Sequence, residues 1–143
     1  MKYLVAAVWI AMAQVADAQT DAWLCISDKA AGFSDKYGSW NSTNFNAGNR
    51  YIIKASKVQG TAWEVREFGD QNAFADAYCK DTFTASKILN CSGIFTEFHF
   101  NAGTGRFMRI YYAGYWTYIP GDKNFGNDGG DTPVIAIGTC SGL

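Results

Sequence analysis

The chain predicts an all-β protein, a small disulfide-stabilised antiparallel barrel or sandwich laid out as a meander of about seven to nine strands. Three observations carry that expectation. Short runs of alternating apolar and polar residues recur along the chain, turn signals rich in glycine, asparagine and serine separate them, and four cysteines stand behind an export signal. Residues 19–143 hold all 15 glycines, most of the aromatics and a single methionine, Met108, which is the composition of sheet and turns rather than of a helical bundle.

The first residues carry one positive charge at Lys2, an apolar run from Tyr3 to about Val15, and the small-x-small pattern Ala16-Asp17-Ala18. Residues 1–18 therefore form the expected signal peptide. The run is shorter than the ~20 residues a spanning helix needs, and charges and glycines interrupt every later apolar segment, so no membrane span is expected in the mature chain. No cysteine stands at Gln19, where a lipid anchor would require one. Removing 18 of 143 residues leaves 125, enough for a single β domain, 19–143, with one hydrophobic core. The formal net charge of −1 is spread along the chain without basic clusters, which argues against a nucleic-acid partner or an anionic membrane surface. The expected location is the periplasm or the cell exterior.

The first strand is expected at about Ala22–Ile26. A hairpin follows, with Phe33 and Trp40 flanking the turn-rich Ser34–Gly38. Tyr51–Ala55 and Ala62–Phe68 form a second hairpin around Gln59-Gly60, and each run alternates as a half-buried strand does. The segment from Asp70 to Lys80 suits either a short helix capped by Asp70 or a strand near Cys79, with the strand preferred. The clearest hairpin is Ile94–Phe100, the turn Asn101–Gly105, and Arg106–Trp116. Alternation there assigns Ile94, Thr96, Phe98 and Phe100 to one face, together with Met108, Ile110, Tyr112 and Trp116 on the partner strand. Gly121–Asp131 is a polar loop, and Pro133–Thr139 supplies the last strand.

An even cysteine count in an exported chain favours disulfides over metal or redox chemistry. Of the three possible pairings, spacing favours the nested one, Cys25 with Cys140 and Cys79 with Cys91. Strand parity supports the outer bridge. If Leu24, Ile26, Ile135 and Ile137 face the core, Cys25 and Cys140 share the opposite side, and a bridge then makes the first and last strands neighbours, since bridged Cα atoms lie within ~7 Å.

Trp23-Leu24-Cys25 with Gly32-Phe33, Trp63-Glu64-Val65, Gly114-Tyr115-Trp116 and the ending Gly130-Asp131-Thr132-Pro133 with Ile137-Gly138-Thr139-Cys140 resemble a group of small uncharacterised exported proteins of Gram-negative bacteria. The resemblance spans nearly all of the mature chain and implies a periplasmic or secreted setting. It lends no activity and no functional residue.

His99 is the single histidine, with Glu97 two residues away on the same strand face. No G-x-S-x-G elbow accompanies it, so a solvent-facing cross-strand pair is the favoured reading. Asp122, Asn124, Asp128 and Asp131 offer oxygen ligands, but an EF-hand register started at Asp122 places Gly126, Asn127 and Pro133 at positions five, six and twelve. No metal and no other cofactor is expected. The candidate binding surface is the tyrosine-rich run and the loop after it, Tyr111, Tyr115, Tyr118, Asp122 and Asp128, with Tyr111 and Tyr115 on the face opposite Tyr112 and Trp116. The resulting expectation is a non-catalytic binding or inhibitory module with a protein, peptide or small ligand as partner and no catalytic residue. The alternatives are a hydrolase-type enzyme that uses His99 or a carboxylate pair, and a structural component of an envelope complex, recognisable by an exposed apolar patch or edge strand.

Overall fold

Nine strands and no helix form among the residues that the computed structural model describes, 21–35, 39–117 and 132–143. The expected signal peptide, the tip of the first hairpin at 36–38 and the loop from Gly121 to Asp131 lie outside them. The strands are β1 (Ala22–Ser34), β2 (Asn41–Phe45), β3 (Arg50–Ala55), β4 (Trp63–Glu67), β5 (Ala77–Cys79), β6 (Ile88–Ser92), β7 (Thr96–Asn101), β8 (Arg106–Tyr111) and β9 (Val134–Gly142). Eight of them close an antiparallel barrel in the order β1-β3-β4-β5-β6-β7-β8-β9, and β9 returns to pair with β1. Closure decides between the two expected architectures and leaves the barrel wall without an open edge. β2 is the extra strand, paired with the second half of β1 through Ala30↔Phe45 to Ser34↔Asn41.

β1 is longer than its expected Ala22–Ile26 because it does two jobs. Its first half pairs with β3 on the same side where its second half pairs with β2, while β9 runs along the other side of both halves. Between Ser27 and Lys29 the register with β9 slips by one residue, a bulge that leaves Asp28 extra. The Asn49 carbonyl accepts a hydrogen bond from the Ser27 amide at 2.9 Å, and the Ser27 carbonyl accepts one from the Gly48 amide at 2.9 Å. Trp23, Cys25 and Ser27 face inward before the bulge, and Ala30, Gly32 and Ser34 after it.

The interior is filled by Tyr51, Ile53, Val65, Leu89, Phe98, Phe100, Phe107 and three of the cysteines. Phe98 and Phe107 stack at 5.0 Å between ring centroids, and Tyr51 meets both edge-on. Both expected bridges form, Cys25–Cys140 and Cys79–Cys91, with Cα separations of 3.9 and 4.0 Å. β1 and β9 are neighbours, and Cys25 lies directly opposite Cys140.

The parity argument holds and its assignment of faces is inverted. The cysteines point into the barrel, whereas Ile26, Ile135 and Ile137 lie on its outer wall, the last two 50% and 48% exposed. Volume explains the choice. A side chain at Gly138, the inward position between Ala136 and Cys140, would collide with the Ile26 carbonyl and the Phe107 ring, so this part of β9 presents only small residues to the interior. β8 is inverted likewise. Phe107, Arg109 and Tyr111 turn inward and Met108 and Ile110 outward, while Ile94, expected on the inner face, is 86% exposed. β8 also ends at Tyr111 rather than Trp116, and Trp116 turns back to donate its indole N–H to the Tyr112 carbonyl at 2.7 Å. Asp70 caps no helix, and the preferred strand at Cys79 is β5.

Candidate functional site

The two ends of the barrel are finished differently. At one end Trp23 of β1, Trp63 of β4 and Phe100 of β7 converge, and Phe83, from the β5–β6 connection, inserts among them with centroid distances of 5.1, 5.4 and 6.0 Å. This end is an aromatic plug, flanked by the disulfides: Cys79 stands opposite Trp63, and Cys25 is the next inward residue after Trp23.

At the other end the inward positions of β8, β3, β1 and β9 surround a cavity of about 500 Å³. Ser27, Asn49, Tyr51, Arg109 and Tyr111 contribute to its lining, and Phe45 brings β2 in as a side wall. Strand pairing accounts for the arrangement. Arg109 lies opposite Phe98 on β7 and Ala136 on β9, and Tyr111 opposite Thr96 and Val134. A single Ala136 beside Arg109 leaves the space that a larger residue would fill.

Arg109 is the one charged side chain that lines this cavity among the described residues. Its guanidinium carbon sits 5.5 Å from the ring centroids of both Tyr51 and Tyr111, within cation–π range. Its terminal nitrogen makes a long 3.5 Å hydrogen bond to Thr96 Oγ1, whereas its Nε is buried without a hydrogen-bond partner. None of the ion pairs among the described residues includes Arg109. Burial raises the pKa of Tyr51, and the nearby Arg109 charge and the hydrogen bond from Asn49 offset that rise only in part. The Tyr51 phenol therefore stays protonated and neutral at physiological pH, and it does not compensate the guanidinium.

The outer wall carries the other ionisable groups. Glu64, 5% exposed, accepts from Arg66 Nε at 2.9 Å, lies 3.5 Å from Lys54 Nζ and accepts a 3.5 Å hydrogen bond from Ser56. Burial pushes its carboxyl upward, but the Arg66 hydrogen bond together with the Arg66 and Lys54 charges outweighs it and holds the pKa below the ordinary value. Glu64 in turn raises the pKa of Arg66, whose remaining donors gather the carbonyls of Asn72, Ala73 and Phe74 and so tie down the β4–β5 connection. His99 faces outward, with Nδ1 2.8 Å from Asn90 Oδ1 and Nε2 3.3 Å from Glu97 Oε2. Its pairing with Glu97 follows the expectation from alternation, and Asn90, its cross-strand neighbour, joins them. No group of three His, Cys, Asp or Glu residues among the described residues is arranged to hold a metal ion.

Of the expected tyrosine surface, the described residues include Tyr111 and Tyr115, and these two face different surroundings. Tyr111 turns inward over Arg109, whereas Tyr115 lies beyond the strand, exposed and packed edge-on against Trp40 at 5.2 Å. Tyr118, Asp122 and Asp128 lie outside the described residues. Arg109 is the residue that sequence reasoning missed. The signal was present: Phe107, Arg109 and Tyr111 share a parity, and two of the three are aromatic. The rival parity, Met108, Ile110 and Tyr112, is the more apolar and hides that signal.

No helix among the described residues is long and apolar enough to cross a membrane. The two disulfides fit an oxidising compartment. No protein-family model, curated protein or solved structure matches this chain.

Proposed function

We propose that this protein is an exported, non-catalytic binding module of the periplasm or cell exterior that captures a small ligand at the open end of its barrel. The observation that carries the reading is the cavity of about 500 Å³ at the mouth, set against the plugged opposite end. Its volume falls within the ~300–1,000 Å³ of ordinary small-molecule sites, and its lining sets polar groups, among them Ser27, Asn49 and Arg109, beside the apolar Ala30, Phe45, Val134 and Ala136. The hydrolase alternative gains no support from His99, held on the outer wall by Asn90 and Glu97, or from Glu64, which two cations neutralise.

The test is a ligand-observed NMR screen of a small-molecule library against the wild type and an Ala30→Phe variant, which narrows the mouth from β1. Binders that the variant loses are expected. A library in which every binder is indifferent to Ala30→Phe would remove the mouth as the binding site.

One observation favours a second reading, a component of an envelope assembly. Ile26, Phe33, Met108, Ile135 and Ile137 form an outward apolar strip over β1, β9 and β8, and β2 pairs on one side only. Sedimentation velocity checks it: a monomer at every concentration would remove self-assembly as its basis.

A further inference from the structure

We infer that the ligand of the barrel mouth is a small organic carboxylate, its charged group taken by the Arg109 guanidinium and its body packed against Tyr111, Phe45 and Val134. The inference rests on the reading of the mouth as a binding site and adds the class of ligand.

Three independent features of Arg109 point the same way. First, its positive charge sits in a cavity to which no described aspartate or glutamate contributes, and no described carboxylate pairs with it. A cation drawn out of bulk water is costly unless an anion or good acceptors meet it, and proteins rarely leave one so exposed to that cost without a use. Second, its Nε–H is buried and finds no acceptor among the described residues. Arginine elsewhere in this chain is treated otherwise: Arg66 uses every nitrogen, with a carboxylate on Nε and carbonyls on the rest. Third, the Arg109 guanidinium carbon lies 5.5 Å from the ring centroids of both Tyr51 and Tyr111, and a cation–π contact uses none of the guanidinium N–H donors, which stay available to an acceptor.

The charge count selects among anions. One guanidinium balances one negative charge, and the other polar groups at the mouth among the described residues, Ser27, Asn46, Asn49 and Thr132 included, are neutral. A carboxylate is a planar monoanion that matches the guanidinium edge through two parallel hydrogen bonds. A phosphate monoester carries nearly two charges near neutral pH and would keep one of them desolvated and unpaired. Phe45, Tyr111, Val134 and Ala136 supply the apolar contact that an organic body needs.

The experiment is a paired screen on the oxidised protein: small aliphatic and aromatic carboxylic acids against the primary amide of each, benzoate with benzamide and hexanoate with hexanamide among them. Binding is read by ligand-observed NMR for wild type, Arg109→Gln and Ala30→Phe, each checked for native near-ultraviolet circular dichroism. Acids are expected to bind at least about tenfold more tightly than their amides, and Arg109→Gln is expected to abolish that preference. Raising salt from about 50 to 500 mM is expected to weaken acid binding in the wild type, a readout that holds even if the Gln variant fails to fold. Amides that bind as well as acids and are lost in Ala30→Phe would overturn the carboxylate assignment and leave the mouth as a site. Acids that bind equally to Arg109→Gln would overturn it too. Binding of both kinds that survives Ala30→Phe would overturn the site and the assignment together.

Discussion

The plugged end and the open end of this barrel are made from the same eight strands with the same alternation, yet one is closed by four aromatic rings and the other holds a charged side chain over a cavity. The plugged end has the hallmarks of a stability element: apolar, closely packed ring against ring and flanked by covalent bridges. The open end gives up stability at Arg109, where a buried donor is left without an acceptor. Where one domain builds both, the less satisfied end is the better place to look for function.

The largest expected effect tests the covalent frame of the plugged half. The Cys25→Ser/Cys140→Ser variant opens a loop with a sequence separation of 115 and is expected to lose ~4–5 kcal/mol by the chain-entropy estimate, read from urea unfolding with Cys79–Cys91 intact. Next comes a direct contrast of the ends. Trp63→Ala removes a ring of the plug and is expected to cost ~3–5 kcal/mol, against ~1–2 kcal/mol for Tyr111→Ala at the mouth. Equal losses would erase the distinction between plug and mouth.

A smaller effect belongs to the outer wall. Glu64 has a folded pKa below its ordinary value of 4.5, so the stability it contributes is present above that value and is lost as the pH falls through the lowered one. Glu64→Gln is expected to cost ~1–3 kcal/mol at neutral pH and to flatten acid unfolding below about pH 4.5. A variant as acid-sensitive as the wild type would place that sensitivity elsewhere. The smallest effect is the most telling for the mouth. Arg109→Met gives up ~1 kcal/mol of cation–π contact and removes an unsatisfied donor worth a similar amount, so thermal unfolding is expected to move by no more than ~1 kcal/mol. A loss of several kcal/mol would make Arg109 a structural residue and the mouth a second plug.

Much of the fold was legible. Alternation and turn chemistry located most of the strands, and the Gln59-Gly60 and Asn101–Gly105 turns fell where expected, with Gly60 and Gly105 in the left-handed region at φ 82° and 67°. The cysteine spacing and parity led to the right bridges and to neighbouring terminal strands. Inside and outside were harder to tell apart in β8 and β9, because both faces of these strands are apolar. There the choice is made by room at Gly138: a side chain at that inward position would collide with the Ile26 carbonyl and the Phe107 ring, so the parity that holds the glycine faces inward and Ile135 and Ile137 face outward. The mouth was illegible for a related reason. An arginine in a strand is by default a solvent-facing residue, and only the three-dimensional wall that puts Arg109 between Tyr51 and Tyr111 shows that this one is not.

The extra residue at Asp28 separates the length of β1 from the orientation of its side chains. Deleting it would leave Ser27, Ala30 and Gly32 facing inward and Lys29, Ala31 and Phe33 facing outward, now in unbroken alternation and continuous register with β9. One codon gained or lost at this point changes how β1 bends along β9 and keeps the same residues around the mouth.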